Sequence, residues 1–456
     1  MYLYKEIKEN FPLRTFLLII IIWIVLALLN YVAMQSGIYT GLGYLFPISV
    51  LYPSHFTITG PIYLLIFLCI GYYSFYNASK FNAFSCYIFC TLLILFGNLG
   101  QGNIHLAMVE SFYIKGYEYY SDAILINDWK YWLDHFNENQ PNLLIHTKTH
   151  PPFITLFHYF ILFLCNNILF LSICFSLLST LSFIFIRKIL LLFLGKEYLY
   201  RINILTLLFS IIPSVNIYTI VSVDGIILSF ATMSLWGIIK TAIDNKITFK
   251  SILLTFVGLA VMSSFTFGST FLLGTFGLFS FFQLFKNKST LILKLLIITC
   301  ILLFVYFVAL YFLLNYNHIK TFQIASYLEN KNGFRGFYQP KVYINTRIED
   351  ISEVLLFLSF GYAAVILNAN RKYLNILLSP NSNKINVQLF YSAIFTFLAM
   401  LVTGAYATGE TARACLFIYP FFLIIITKCN QITLNIIYFL ALFQTFGMQL
   451  IGNFHW

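Results

Sequence analysis

The sequence predicts an all-α polytopic integral membrane protein with roughly 11–13 transmembrane helices and very little soluble mass. Four observations predict it. Of the 456 residues, 60% are hydrophobic and only 9% charged, with too few charges to cover a soluble surface of that size. Mean hydropathy is +0.84. Short basic groups recur between apolar runs, as the positive-inside rule requires of cytoplasmic loops. The 51 Phe and 32 Tyr suit a lipid-facing protein with interfacial belts.

The net charge of +11 carries no nucleic-acid signal, because no basic run gathers on one amphipathic face. The eight cysteines lie in or beside apolar stretches without metal-ligand spacing and read as small buried hydrophobes. Lys5, Lys8 and Arg14 precede a first apolar run too long for a signal-peptide core, so an uncleaved anchor is expected.

Apolar spans are predicted at about 15–34, 60–78, 82–98, 168–186, 202–218, 222–240, 251–266, 268–285, 293–315, 351–369, 388–405, 413–427 and 432–451. The segment 36–58 reads as re-entrant or interfacial, and the short run 152–165 as a dip into the outer leaflet. Alternation then puts the basic clusters at 187–201, 240–250, 286–288 and 371–384, with Lys428, on the cytoplasmic side. The outer side receives two long loops, about 99–151 and 316–350. Trp129, Trp132, Leu133 and Phe136 recur at helical spacing and predict a short amphipathic helix over 128–137 with its aromatics facing lipid. No soluble domain, internal repeat or inverted symmetry is visible, so 1–456 reads as a single transmembrane domain.

The polar residues that call for explanation cluster on the outer side. They are Asp122 in YYSDA; His146, Lys148 and His150 before Pro151 and Pro152; Asp224 at the head of a span; Arg335 in the second loop; and Glu410 with Arg413. Each also has a structural account. Asp122 is one of several acids in its loop, the prolines suit a helix start, and Asp224 suits a helix cap. Arg413 can snorkel or form a surface pair with Glu410, three residues away. Apart from Asp224 and Lys294, both near span ends, the spans carry almost no charge.

In order and sidedness these elements resemble the GT-C superfamily of glycosyltransferases, nearest the protein O-mannosyltransferase and lipid A aminoarabinose transferase group. The likeness runs from Asp122 through H-T-K-T-H-P-P (146–152) and Asp224 to Gly409, Glu410, Arg413 and Pro420. Ala123 stands where relatives often carry a second acid, and the first large loop follows about three spans rather than one. The resemblance implies a polyprenyl-phosphate or polyprenyl-diphosphate sugar donor and an envelope glycan, lipid or protein acceptor on the periplasmic face of a bacterial inner membrane. Asp122 would be the general base. His146, Lys148, His150, Asp224, Arg335, Glu410 and Arg413 would bind substrate, with Arg413 forking two phosphate oxygens. No cofactor is implied with certainty, and a divalent metal on Asp122 with Asp224 or His150 fits the same residues. Two rivals use similar features. An envelope polysaccharide polymerase or ligase would use the basic second loop, and a lipid-linked-sugar flippase or transporter would need charges along its spans.

Overall fold

In a bilayer every backbone N–H and C=O must be satisfied within the protein, which leaves helices as the outcome for runs of Leu, Ile and Phe this long. The computed structural model describes residues 9–35, 52–53, 57–113, 119–368, 382–404 and 411–454, and they are overwhelmingly helical. One two-residue antiparallel pair joins Tyr52–Pro53 to Gly452–Asn453. Polar residues mark the helix ends. Asn82 accepts the Ser85 N–H at 2.8 Å and Asn430 the Thr433 N–H at 2.7 Å. Thr248 and Ser251 form a reciprocal capping box. Asn245 and Asn315 end their helices in the left-handed region, which asparagine tolerates better than most residues.

Six helices are long and apolar enough to cross a bilayer, or seven if one bent pair counts as a span, and five shorter apolar helices accompany them. Full-length crossing helices among the described residues are therefore fewer than expected. One cause is local breakage. The expected span 202–218 is two helices, Leu199–Ile211 and Pro213–Tyr218, because Pro213 has no N–H to continue the ladder. Others are short: Ala83–Leu99 has 17 residues, about 26 Å at 1.5 Å per residue. The helix Ile168–Leu194 runs past its expected end, so Arg187 and Lys188 lie within it rather than after it. The segment 316–350 is largely helical, with His318–Glu329 and Arg335–Tyr338 leading into Pro340–Phe357. That last helix turns through 107° into Phe360–Leu367, the turn falling at Ser359 with φ 82°. The expected re-entrant piece at 36–58 lies mostly outside the described residues.

Contacts divide the chain into two compact units. The first comprises 1–103, 186–219 and 335–454; the second comprises 104–185 and 220–334, with the last two residues.

In the first unit, Ala83–Leu99, Leu199–Ile211, Pro213–Tyr218 and Gln431–Ile451 pack together, with Thr59–Asn77 beside them. A chain of buried amides runs through this core. Gln101 Nε2 donates to Gln449 Oε1 at 2.6 Å, and Gln449 Nε2 to Asn216 Oδ1 at 3.0 Å. Asn216 Nδ2 donates to the carbonyls of Leu93 and Ser210, while Asn98 donates to the carbonyl of Asn216. Gly97 is required here, since a Cβ would collide with Asn216 Oδ1. Satisfied amides of this kind fix helix register where apolar packing alone would slide.

In the second unit, Val223–Asp244 and Phe249–Phe265 form a close hairpin. A Cβ on Gly258 would lie 2.5 Å from the Phe230 carbonyl, so the backbones approach as only small residues permit. The expected surface helix is two short ones, Trp129–Asp134 and Phe136–Asn139, hinged at His135. Its apolar face does not turn to lipid. Leu133 and Phe136 are buried with Ile126, Leu156 and Tyr316, and Trp129 and Trp132 pack against them. The aromatic spacing was a core-facing stripe, which has the same periodicity as a lipid-facing one.

Candidate functional site

Asp122 sits on the one-turn helix Tyr119–Ala123 and is 8% exposed. Its Oδ2 accepts the Leu144 N–H at 3.1 Å. Leu144 caps Ile145–Thr149, the helix that carries His146 and Lys148. A carboxylate at a helix start satisfies an orphan donor and favours the local dipole. The helix stops at His150, whose extended backbone is the conformation a following proline imposes. Pro152 then caps Phe153–Leu164.

The ring of Tyr119 lies 5.6 Å from both His146 and His150 and 5.8 Å from His158, centroid to centroid. His150 Nδ1 is 3.0 Å from the His146 carbonyl, and His158 Nδ1 is 2.8 Å from the Ile154 carbonyl. A carbonyl only accepts, so Nδ1 carries a proton in both rings. Asp122, His146 and His150 are thus gathered about one tyrosine. Lys148 lies on the same short helix and is half-buried.

The segments expected as long loops, about 99–151 and 316–350, are bound together in this unit. Gln140 Nε2 donates to the carbonyls of Lys148 (2.9 Å) and Thr321 (3.0 Å). Asn137 donates to Thr321 Oγ1 at 2.7 Å and accepts the Asn317 N–H at 3.1 Å. Beneath them, Tyr316 is fully buried and its hydroxyl lies 2.9 Å from His318 Nδ1. His318 stacks on Phe307 at 4.1 Å. Burial pushes the Tyr316 hydroxyl up and holds the His318 imidazole down at about 4, so His318 is neutral at physiological pH.

Asp224 lies in the first turn of Val223–Asp244, where its N–H donates to Ser222 Oγ at 3.0 Å. The cap is therefore Ser222, not Asp224. Among the described residues no group of three His, Cys, Asp or Glu is placed to hold a metal.

Arg335 and Arg413 belong to the first unit, and Glu410 lies outside the described residues. Arg413 is on the short helix Thr411–Ala414, held by acids that sequence reasoning passed over. Glu353 accepts the N–H groups of Thr411 at 3.2 Å and Ala412 at 3.4 Å. The Thr411 hydroxyl donates to Asp350, and Arg347 pairs with Asp350 at 2.7 Å. Arg347 also donates to the Leu401 carbonyl at 2.6 Å. Glu349, Asp350 and Glu353 are all buried. Glu353 falls inside the expected span 351–369, while Glu349 and Asp350, at the end of the expected loop 316–350, lie on the same helix. The signal was present: acids at 349, 350 and 353 share one helical face at the edge of an apolar run. His158, eight residues beyond His150 inside an apolar helix, was likewise legible as a buried polar group.

Comparison with known proteins adds no relative: no family model, no curated protein and no solved structure matches this chain. What stands on the molecule itself is an all-α integral membrane protein with several apolar helices long enough to cross a bilayer.

Proposed function

We propose that this protein is a GT-C-type membrane glycosyltransferase that moves a sugar from a polyprenyl-phosphate carrier to an acceptor of the cell envelope. One observation carries the reading. Asp122 and the His-x-x-x-His-Pro-Pro element, more than 20 residues apart in sequence, meet through the Asp122–Leu144 hydrogen bond. They are the two elements on which the resemblance most depends. Among the described residues Leu144 is the one donor seen on Asp122, which leaves Oδ1 to take a proton from the acceptor hydroxyl. The departing phosphate is a stable anion and needs stabilisation rather than protonation. Lys148 supplies a cationic donor of the right kind. A hydrophobic scaffold suits a donor whose tail is a polyprenyl chain.

The test is transfer from a radiolabelled polyprenyl-phosphate sugar by the purified protein in liposomes containing envelope glycolipid, with release of polyprenyl phosphate as readout. Release that depends on Asp122 supports the reading. No release with any polyprenyl-phosphate or polyprenyl-diphosphate sugar removes it.

The acids of Pro340–Phe357 favour a second reading. Buried carboxylates in a sharply bent apolar helix are a feature of ion-coupled transport and flipping. In that case movement of a lipid-linked sugar across the liposome would depend on Glu353 and not on Asp122.

A further inference from the structure

In the first unit, four apolar helices have an end within one small region. Leu199–Ile211, Ile385–Val402 and Gln431–Ile451 begin there, and Tyr419–Ile426 ends there. Three cations stand at these ends. Arg201 is in the first turn of its helix, Lys384 caps the second, and Lys428 lies in the turn between the last two. The turn folds around Arg201. Its Nε donates to the Thr427 carbonyl at 3.3 Å, Nη2 to the Cys429 carbonyl, and Nη1 to Gln431 Oε1 at 3.4 Å. Lys428, between two of those carbonyls, is therefore fixed beside the guanidinium. Lys384 is its other close charge, and all three carry the same sign.

Among the described residues none of the three is paired with a carboxylate, whereas Lys240 and Arg347 both are. The carbonyls that hold Arg201 are neutral and leave its full charge in place. Lys428 is only half-exposed, and burial with two neighbouring cations lowers its pKa. Lys384 is exposed and Arg201 and Lys428 are partly buried, so three like charges converge on a spot that an anion from outside can reach and neutralise.

We infer that Arg201, Lys384 and Lys428 form a site for the phosphate of an anionic phospholipid. Depth decides for a lipid over a free ion. The site lies where apolar helices end, which is the headgroup level of a bilayer. Exposed apolar side chains continue from it along the same helices, with Ile432 39% and Phe443 59% exposed, as an acyl chain requires. Positive-inside counting assigns all three cations to the cytoplasmic leaflet, where a lipid with net negative charge completes the balance.

The experiment uses the full-length protein in neutral detergent. Native mass spectrometry and thermal unfolding follow titration with phosphatidylglycerol, phosphatidylcholine or inorganic phosphate. The native protein should retain phosphatidylglycerol and gain thermal stability from it, with phosphatidylcholine much weaker and inorganic phosphate without effect. Lys384→Gln and Lys428→Gln should each weaken retention roughly five-fold, and the double variant should abolish the thermal gain. Lys240→Gln, a lysine already paired with Asp244, should change neither. Equal retention of both lipids, or a double variant within about two-fold of native, overturns the site. Protection by inorganic phosphate alone overturns its assignment to a lipid. Should the double variant fold poorly, retention by the native protein from about 50 to about 500 mM NaCl decides: it must fall with salt, and a flat response overturns the site.

Discussion

Both units use a buried carboxylate to hold the start of a very short helix that carries basic side chains. In the second unit Asp122 accepts the Leu144 N–H ahead of His146 and Lys148. In the first, Glu353 accepts two N–H groups ahead of Arg413. The difference lies in what is left over. Glu353 is wholly buried, has both oxygens engaged, and shares its helix face with Asp350 and the Asp350–Arg347 pair. Asp122 retains slight exposure and has one donor among the described residues. A carboxylate bonded through both oxygens is suited to holding a backbone, and one with an oxygen to spare is suited to taking a proton. The same local device thus gives a clamp in one place and a candidate base in the other.

The largest effect that sharpens this contrast is chemical. Asp122→Asn keeps the side chain's size and its acceptor for Leu144 but removes its basicity. Sugar transfer in liposomes should fall about 10²–10⁴-fold, with the thermal midpoint little changed. Asp224→Asn, on a helix already capped by Ser222, should be mild by comparison. A fully active Asp122→Asn beside a dead Asp224→Asn would move the base to Asp224 and erase the contrast.

The second effect concerns the clamp. Glu353→Gln turns one acceptor oxygen into an amide facing a backbone N–H. Leaving that buried donor unsatisfied costs about 1–3 kcal/mol, which should appear as a lower midpoint in detergent. Asp122→Asn should show no such drop. If Glu353→Gln unfolds normally yet abolishes movement of a lipid-linked sugar, Glu353 is functional and the transport reading gains the ground.

These two acids also mark how far the sequence can be read. The long apolar helices were legible, because a bilayer leaves long apolar runs one solution, whereas the helices of 316–350 and the break at Pro213 were not. The hinge at Ser359 was not, because a run's composition gives no sign of where it bends. Nor was the burial of Leu133 and Phe136, since lipid and protein interior select the same side chains at the same spacing. Asp122 and the 146–152 element were singled out in sequence, but only folding joins them. Glu353 escaped notice because it falls within an apolar span, where a carboxylate is expensive and must have donors that sequence does not reveal.

A third, smaller effect separates the two units by pH. His318 titrates at about 4 in the folded protein and near 6.5 when unfolded. Between those values the unfolded chain binds more protons, so stability is full above about 6.5 and declines as pH falls towards 4. The upper limit is about 3 kcal/mol. Amide exchange around 316–321 should therefore quicken at pH 5 relative to pH 7.5, and His318→Gln should remove the difference. Acceleration of the same size around the amide chain of the first unit would assign the pH response to something other than His318.

The smallest effect tests whether the second unit's loop is part of its core. Asp128 caps Trp129–Asp134 by accepting the N–H groups of Lys130 at 2.9 Å and Tyr131 at 3.3 Å. Loss of such a cap costs about 1 kcal/mol. Asp134 caps nothing, and its nearest charge is the neighbouring His135 at 3.6 Å. Asp128→Ala should therefore lower the midpoint slightly and Asp134→Ala should not. Because Leu133 and Phe136 join this segment to Tyr316, the loss at Asp128 should loosen the 316–321 segment as well, seen as faster amide exchange there. A helix lying on lipid would fray on its own and leave 316–321 untouched. Exchange that quickens only at 128–134 would thus return the aromatic stripe to the membrane surface and detach the two outer segments from each other.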